Sequence, residues 1–115
     1  MQLQKLDRWQ WTDVCAAISL GLLGKRAEIE VVSPTDGLLT EAPRQPVLGI
    51  VYDQSNDALK IMLDGLDHFI FNPTELYLEF ALGSVQSLGI LDRENAWQIV
   101  LLRDPLMLPR RVAIE

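Results

Sequence analysis

The residues predict an α+β, mostly β fold: one N-terminal helix followed by a curled antiparallel sheet or small partly open barrel of six to seven strands. Three observations carry this. Apolar residues recur at helical spacing only between positions 11 and 22, the chain downstream of residue 26 alternates with a period of two, and short turn-forming clusters separate the alternating runs. A flatter sheet with the helix on one face is the alternative architecture.

The helix is placed at about 7–23. Asp7 followed three residues later by Gln10 has capping-box spacing, and Leu6 with Trp11 has the spacing of a hydrophobic staple. Trp11, Val14, Cys15, Ile18 and Leu22 then form one apolar stripe. Gly24 suits the left-handed residue after a helix, and Lys25-Arg26 lie near the negative end of its dipole.

Strands are expected at Ala27–Val32, Val47–Tyr52, Ala58–Leu63, Leu66–Phe71, Glu75–Leu82, Val85–Leu91 and Ala96–Arg103. Between the first two lies a loop, Ser33–Pro46, whose three prolines and Asp36-Gly37 turn suggest a short hairpin or edge excursion. Asn72-Pro73 breaks the fourth strand, because proline cannot donate to a ladder. In Glu75–Leu82 the leucines and Phe80 point inward, with Glu75, Tyr77 and Glu79 outward. Trp97 to Leu102 is apolar at nearly every position, which predicts a central strand covered on both faces. Asp104-Pro105 is expected to end it, leaving 104–115 as an extended arm of a single domain, 1–115.

The 115 residues carry 16 acidic and 10 basic side chains, a formal charge of −6. That balance argues against nucleic-acid and anionic-membrane partners, whose affinity comes from Lys and Arg. One cysteine excludes an internal disulfide, and the run from Val14 to Gly24 is too short to cross a bilayer, so a cytoplasmic location is expected.

A set of landmarks is similar to a family of small bacterial proteins of unknown function (domain of unknown function number 5335). These are Leu6-x-Arg8-x-x-Trp11, Ser19 and Gly24, Ile29-Glu30-Val31, Leu48-Gly49-Ile50, Ile61-Met62-Leu63-x-Gly65, His68-x-Ile70-x-x-Pro73-x-x-Leu76-x-Leu78-Glu79, and Leu102-Arg103-x-Pro105. Together they span nearly the whole chain. The chain departs from the family in having no second histidine three residues from His68, and Lys25 where an aromatic is common. The resemblance implies no activity.

Candidate chemistry is sparse. His68 stands beside Asp67 and close to Asp64, with Glu79 a further candidate partner for a hydrolase-like or ligand-binding site, against a half-buried structural role. Cys15 lies on the apolar stripe with Asp13 as its nearest charge, which favours packing over reactivity. The pairs Glu28/Glu30 and Glu75/Glu79 suit metal or acid–base chemistry in principle, but the strand period alone predicts acids facing water. Trp11 and Trp97 fit the core, whereas Trp9 lies on a different helix face and, beside Arg8, is an interaction hot-spot candidate. Gly49, Asp53, Asn56 and Leu59 resemble an Sm-like RNA-binding pattern, at separations that are too short.

No phosphate loop, zinc spacing or nucleophile elbow is present, so no catalytic residue, metal or cofactor is assigned. The expectation is a non-enzymatic binding or interaction module, with a protein partner or a second copy. The apolar Leu106, Met107, Leu108, Val112 and Ile114 favour self-association. A ligand site at His68 and an RNA-binding barrel are the alternatives.

Overall fold

The computed structural model describes residues 2–22, 25–81 and 83–106. The expected helix stop at Gly24, the inward Leu82 and the arm beyond Leu106 lie outside them.

The helix begins with the predicted chemistry. Asp7 N–H donates to Gln10 Oε1 at 2.8 Å and Gln10 N–H to the Asp7 carbonyl at 2.9 Å, which closes one 3-10 turn over Arg8–Gln10. The α-helix proper, α1, is Trp11–Leu22. Leu6 and Trp11 are both buried, and Trp11 Nε1 donates to the Leu6 carbonyl at 3.3 Å, so the staple is also a hydrogen bond.

Eight strands form one antiparallel sheet. They are β1 (Gln2–Leu6), β2 (Arg26–Ser33), β3 (Gly37–Asp53), β4 (Ala58–Leu63), β5 (Leu66–Phe71), β6 (Glu75–Ala81), β7 (Ser84–Leu91) and β8 (Trp97–Leu106), in the order β1-β6-β7-β8-β2-β3-β4-β5. The sheet is open, its described edges being β1 and β5.

Three expectations need correction. β1 was not anticipated: five residues before the cap are too few to show a period, and only pairing with β6 makes them a strand. The expected loop Ser33–Pro46 is a tight turn at Ser33–Gly37 followed by strand, because β2 supplies a partner for β3 as far as Arg26↔Pro46. Asp104-Pro105 does not end β8. The β7 ladder breaks after Ser87↔Leu101 and resumes at Val85↔Leu106, so the proline sits in an irregular stretch.

β3 bends the sheet. Its first half pairs with β2 and its second half, from Val47↔Leu63, pairs with β4. The change of partner falls at Pro46, and register shifts beside it in β2 and β3 supply the local kink. Beyond Pro46 the second half of β3 has no strand on its β2 side. There α1 takes over: Ser19 Oγ accepts from Ile50 N–H at 2.7 Å and donates to the Ile50 carbonyl at 2.5 Å. Gly49 permits that approach, since a Cβ there would lie 3.4 Å from Ser19 Oγ and 2.9 Å from Met62 Cε.

The concave side holds the core. Val14, Cys15 and Ile18 of α1 are buried with Ile29, Ile50, Leu59, Ile61, Ile70, Leu76, Leu78, Leu88, Ile90 and Val100.

Candidate functional site

The sequence candidates fall into two polar clusters and two outliers. Arg8 is tied at the helix start: its Nη1 lies 3.2 Å from Tyr52 Oη and 3.1 Å from Asp57 Oδ1, and its Nη2 donates to the Pro73 carbonyl at 3.0 Å. Its guanidinium also stacks 4.3 Å from the Trp11 ring centre. Tyr52 donates to Asp57 at 2.7 Å, and burial followed by that bond pushes the phenol above its ordinary range. Trp9, 72% exposed, shares a recess of about 510 Å3 with Arg8, Thr12, Tyr52 and Gln54.

His68 is half-buried on β5. Its Nε2 meets Gln98 Oε1 at 2.6 Å, and Gln98 Nε2 donates to Asp92 Oδ2 at 3.0 Å. Because the Gln98 amide nitrogen is used by a carboxylate, its oxygen faces His68, and the imidazole must carry its proton on Nε2. Asp92 is itself held by the backbone N–H groups of Glu94 and Ala96 in the β7–β8 turn. This chain spans the seam between the β5 edge and β8, beside a cleft of about 280 Å3 lined in part by Phe71, Asn72 and Arg93.

The proposed acid partners of His68 lie elsewhere. Strand alternation turns Asp67 to the outer face, 3.6 Å from Lys60 Nζ, and Asp64 is exposed in the β4–β5 turn. Glu79 accepts from Ser87 Oγ at 2.8 Å on β6. Cys15 is fully buried, and burial pushes its thiol up to about 12, where it stays protonated and unreactive. No group of three or more metal-ligating side chains occurs among the described residues.

The most developed concavity was not singled out in the sequence. On the outer face of β6, β7, β8 and β2, three rows of side chains cross the strands. One runs Glu79–Ser87–Leu101–Glu28, the next Tyr77–Gly89–Ile99–Glu30, and the third Glu75–Leu91–Trp97–Val32. Tyr77 and Trp97 meet with ring centres 5.4 Å apart at 55°. Gly89 keeps the floor flat beneath Trp97, where a Cβ would stand 3.7 Å from the ring. With Leu3 from β1 these residues line a groove of about 340 Å3.

Here the expectation for β8 is corrected. Val100 and Leu102 are buried, but Trp97, Ile99 and Leu101 are only half-buried, so among the described residues one face of this central strand lacks full cover. The signal was present in the run Trp97–Leu102, which is apolar on both faces. The two acid pairs noticed separately now lie on one face, on either side of that apolar strip. Tyr77 donates to Glu75 at 2.6 Å, and the bond pushes its phenol upward.

No helix among the described residues is long and apolar enough to cross a membrane. The chain is similar to a protein of Aquifex aeolicus (strain VF5) described as "Uncharacterized protein", 27% identical over 110 residues that cover 95% of this chain and 99% of the relative. No solved structure matches it. The model of the family of unknown function DUF5335 matches residues 2–111, and the chain belongs to that family.

Proposed function

We propose that the chain is a single-domain, non-enzymatic protein-interaction module that works in the cytoplasm and uses the outer groove as its contact surface. One observation carries this reading: a central strand presents Trp97, Ile99 and Leu101 on a face that the described residues leave half-exposed. Apolar strips of this kind mark contact surfaces, and an aromatic pair over a flat floor is the usual anchor of such a surface. Trp9 is a second candidate contact, because its indole projects into solvent while Arg8 beside it is committed to Tyr52, Asp57 and Pro73.

Placing a photo-crosslinking residue at position 99, with position 20 on the exposed side of α1 as control, tests this in the native cell. Protein adducts from position 99 and none from position 20 are expected. Equal adducts from both, or none from position 99, would overturn the reading.

A ligand site around His68 is the second reading, favoured by the His68–Gln98–Asp92 chain beside its cleft. It is the weaker one, since the Nε2 proton of His68 is already given to Gln98. If His68→Gln only lowers stability, this reading ends. RNA on the groove is disfavoured by the same rows, where Glu28, Glu30, Glu75 and Glu79 would repel phosphates.

A further inference from the structure

We infer that the outer groove receives the apolar stripe of a basic amphipathic helix belonging to a partner protein. This rests on the interaction reading and adds the partner's class. The argument is charge and width together. Glu28 and Glu30 on β2 line one side of the strip, and Glu75 and Glu79 on β6 line the other. β2 and β6 are separated by β8 and β7, three interstrand steps of about 4.8 Å, which places the two acidic rails roughly 14 Å apart. An α-helix with its side chains is about 10–12 Å across, so one helix fits between the rails. An added strand, at about 4.8 Å per neighbour, would reach neither rail.

Along β8 the strip runs from Trp97 to Leu101, about 13 Å, or two to three helical turns. A helix with leucine-like residues at i, i+3 and i+4 would rest on Trp97, Ile99 and Leu101 with Tyr77 at its side. Lysines or arginines flanking that stripe would reach the carboxylates. The other outer apolar face differs in its charge: Lys60 stands between Asp67 at 3.6 Å and the Phe69 ring at 5.7 Å, so its cation comes from within the chain.

The test uses the full chain with Trp9→Phe, so that half-exposed Trp97 reports binding over buried Trp11. The probe is an 18-residue helical peptide with a leucine stripe flanked by lysines. Two companions are the same peptide with glutamates for lysines, and a peptide of residues 107–115. The lysine peptide is expected to bind and shift the Trp97 emission. Raising salt and the triple variant Glu28→Gln/Glu30→Gln/Glu79→Gln should each weaken it about tenfold or more. Leu101→Gln, which leaves the rails intact, should weaken it as well, and Phe69→Ser should not.

Binding of the lysine peptide that ignores Leu101→Gln would show mere attraction to an acidic protein and overturn the inference. Groove binding by the glutamate peptide at equal strength would remove the basic partner yet leave the interaction reading standing. The same holds if the 107–115 peptide occupies the groove more tightly, or if position 99 crosslinks only to a second copy. Failure of all peptides, with no adduct at position 99, would end both readings.

Discussion

Two regions of this molecule bring polar groups up to apolar surface, and they do it to opposite ends. At the inner seam, α1 meets the second half of β3, and the chain itself answers each strand group there: Ser19 takes both the N–H and the carbonyl of Ile50, and Arg8 is shared among Tyr52, Asp57, Pro73 and the Trp11 ring. At the outer groove, Tyr77, Trp97, Ile99 and Leu101 stay half-exposed between rows of glutamates. A buried, closed network stabilises the fold. A half-exposed one leaves surface for something else to cover. Substitutions at the seam should therefore change stability and spare binding, and substitutions in the groove should do the reverse.

The largest effect expected is at Trp11. Trp11→Ala removes a buried indole, its edge-on contact with Tyr52 at 5.1 Å and the Leu6 hydrogen bond, and should lower unfolding free energy by about 3–5 kcal/mol in urea denaturation. Peptide binding measured below the unfolding transition should persist. Loss of binding with the fold intact would merge the two regions into one.

Next comes Ser19→Ala, which strands two backbone groups of Ile50 against the helix. A loss of roughly 1–3 kcal/mol is expected, with faster amide exchange at Ile50 as the local signature. Unchanged exchange there would mean that water replaces the hydroxyl, and that the seam is looser than its geometry indicates.

Cys15 sharpens the seam through pH. In the folded chain its thiol is pushed from 9.0 to about 12, whereas the unfolded thiol ionises near the ordinary value. The folded state therefore holds its proton longer, and this contribution is complete below pH 9 and is lost as pH rises from about 9 towards 12. Over that window the slope approaches about 1.4 kcal/mol per pH unit. Wild type should lose its advantage over Cys15→Ala between pH 9 and 11, and native protein at pH 8 should resist thiol alkylation until urea is added. Rapid alkylation of the native chain would contradict the burial.

The smallest stability effect belongs to the groove. Glu30→Gln should stay within about 0.5 kcal/mol of wild type, as for an ordinary surface position, while weakening the lysine peptide. A larger stability change would give Glu30 a structural duty and weaken the case for the acidic rails.

Much of this architecture was legible in the residues. The capping box at Asp7 and Gln10, the staple of Leu6 and Trp11, and the strands Ala58–Leu63 and Leu66–Phe71 follow from local patterns, and local chemistry produces them. The landmarks shared with the family turn out to be joints of the fold: Arg8, Trp11, Ser19, Gly49 and Pro73 all meet at the seams. What misled was pairing. β1 and the first half of β3 have no periodic signature, and they are strands because β6 and β2 lie alongside. The site was less legible still. Asp67 is next to His68 in sequence but on the opposite face, while Gln98, thirty residues away, holds the imidazole.

By itself the sequence determined which residues are apolar, their period, where turns can form and how the helix starts, because these depend on neighbours a few positions apart. Only the tertiary structure decided which strands lie beside each other. That choice set Glu28 and Glu30 across the sheet from Glu75 and Glu79, with Trp97, Ile99 and Leu101 between them. The reason is that a strand's two faces are identical in its own sequence, and a surface shared by four strands exists only once their order and register are set.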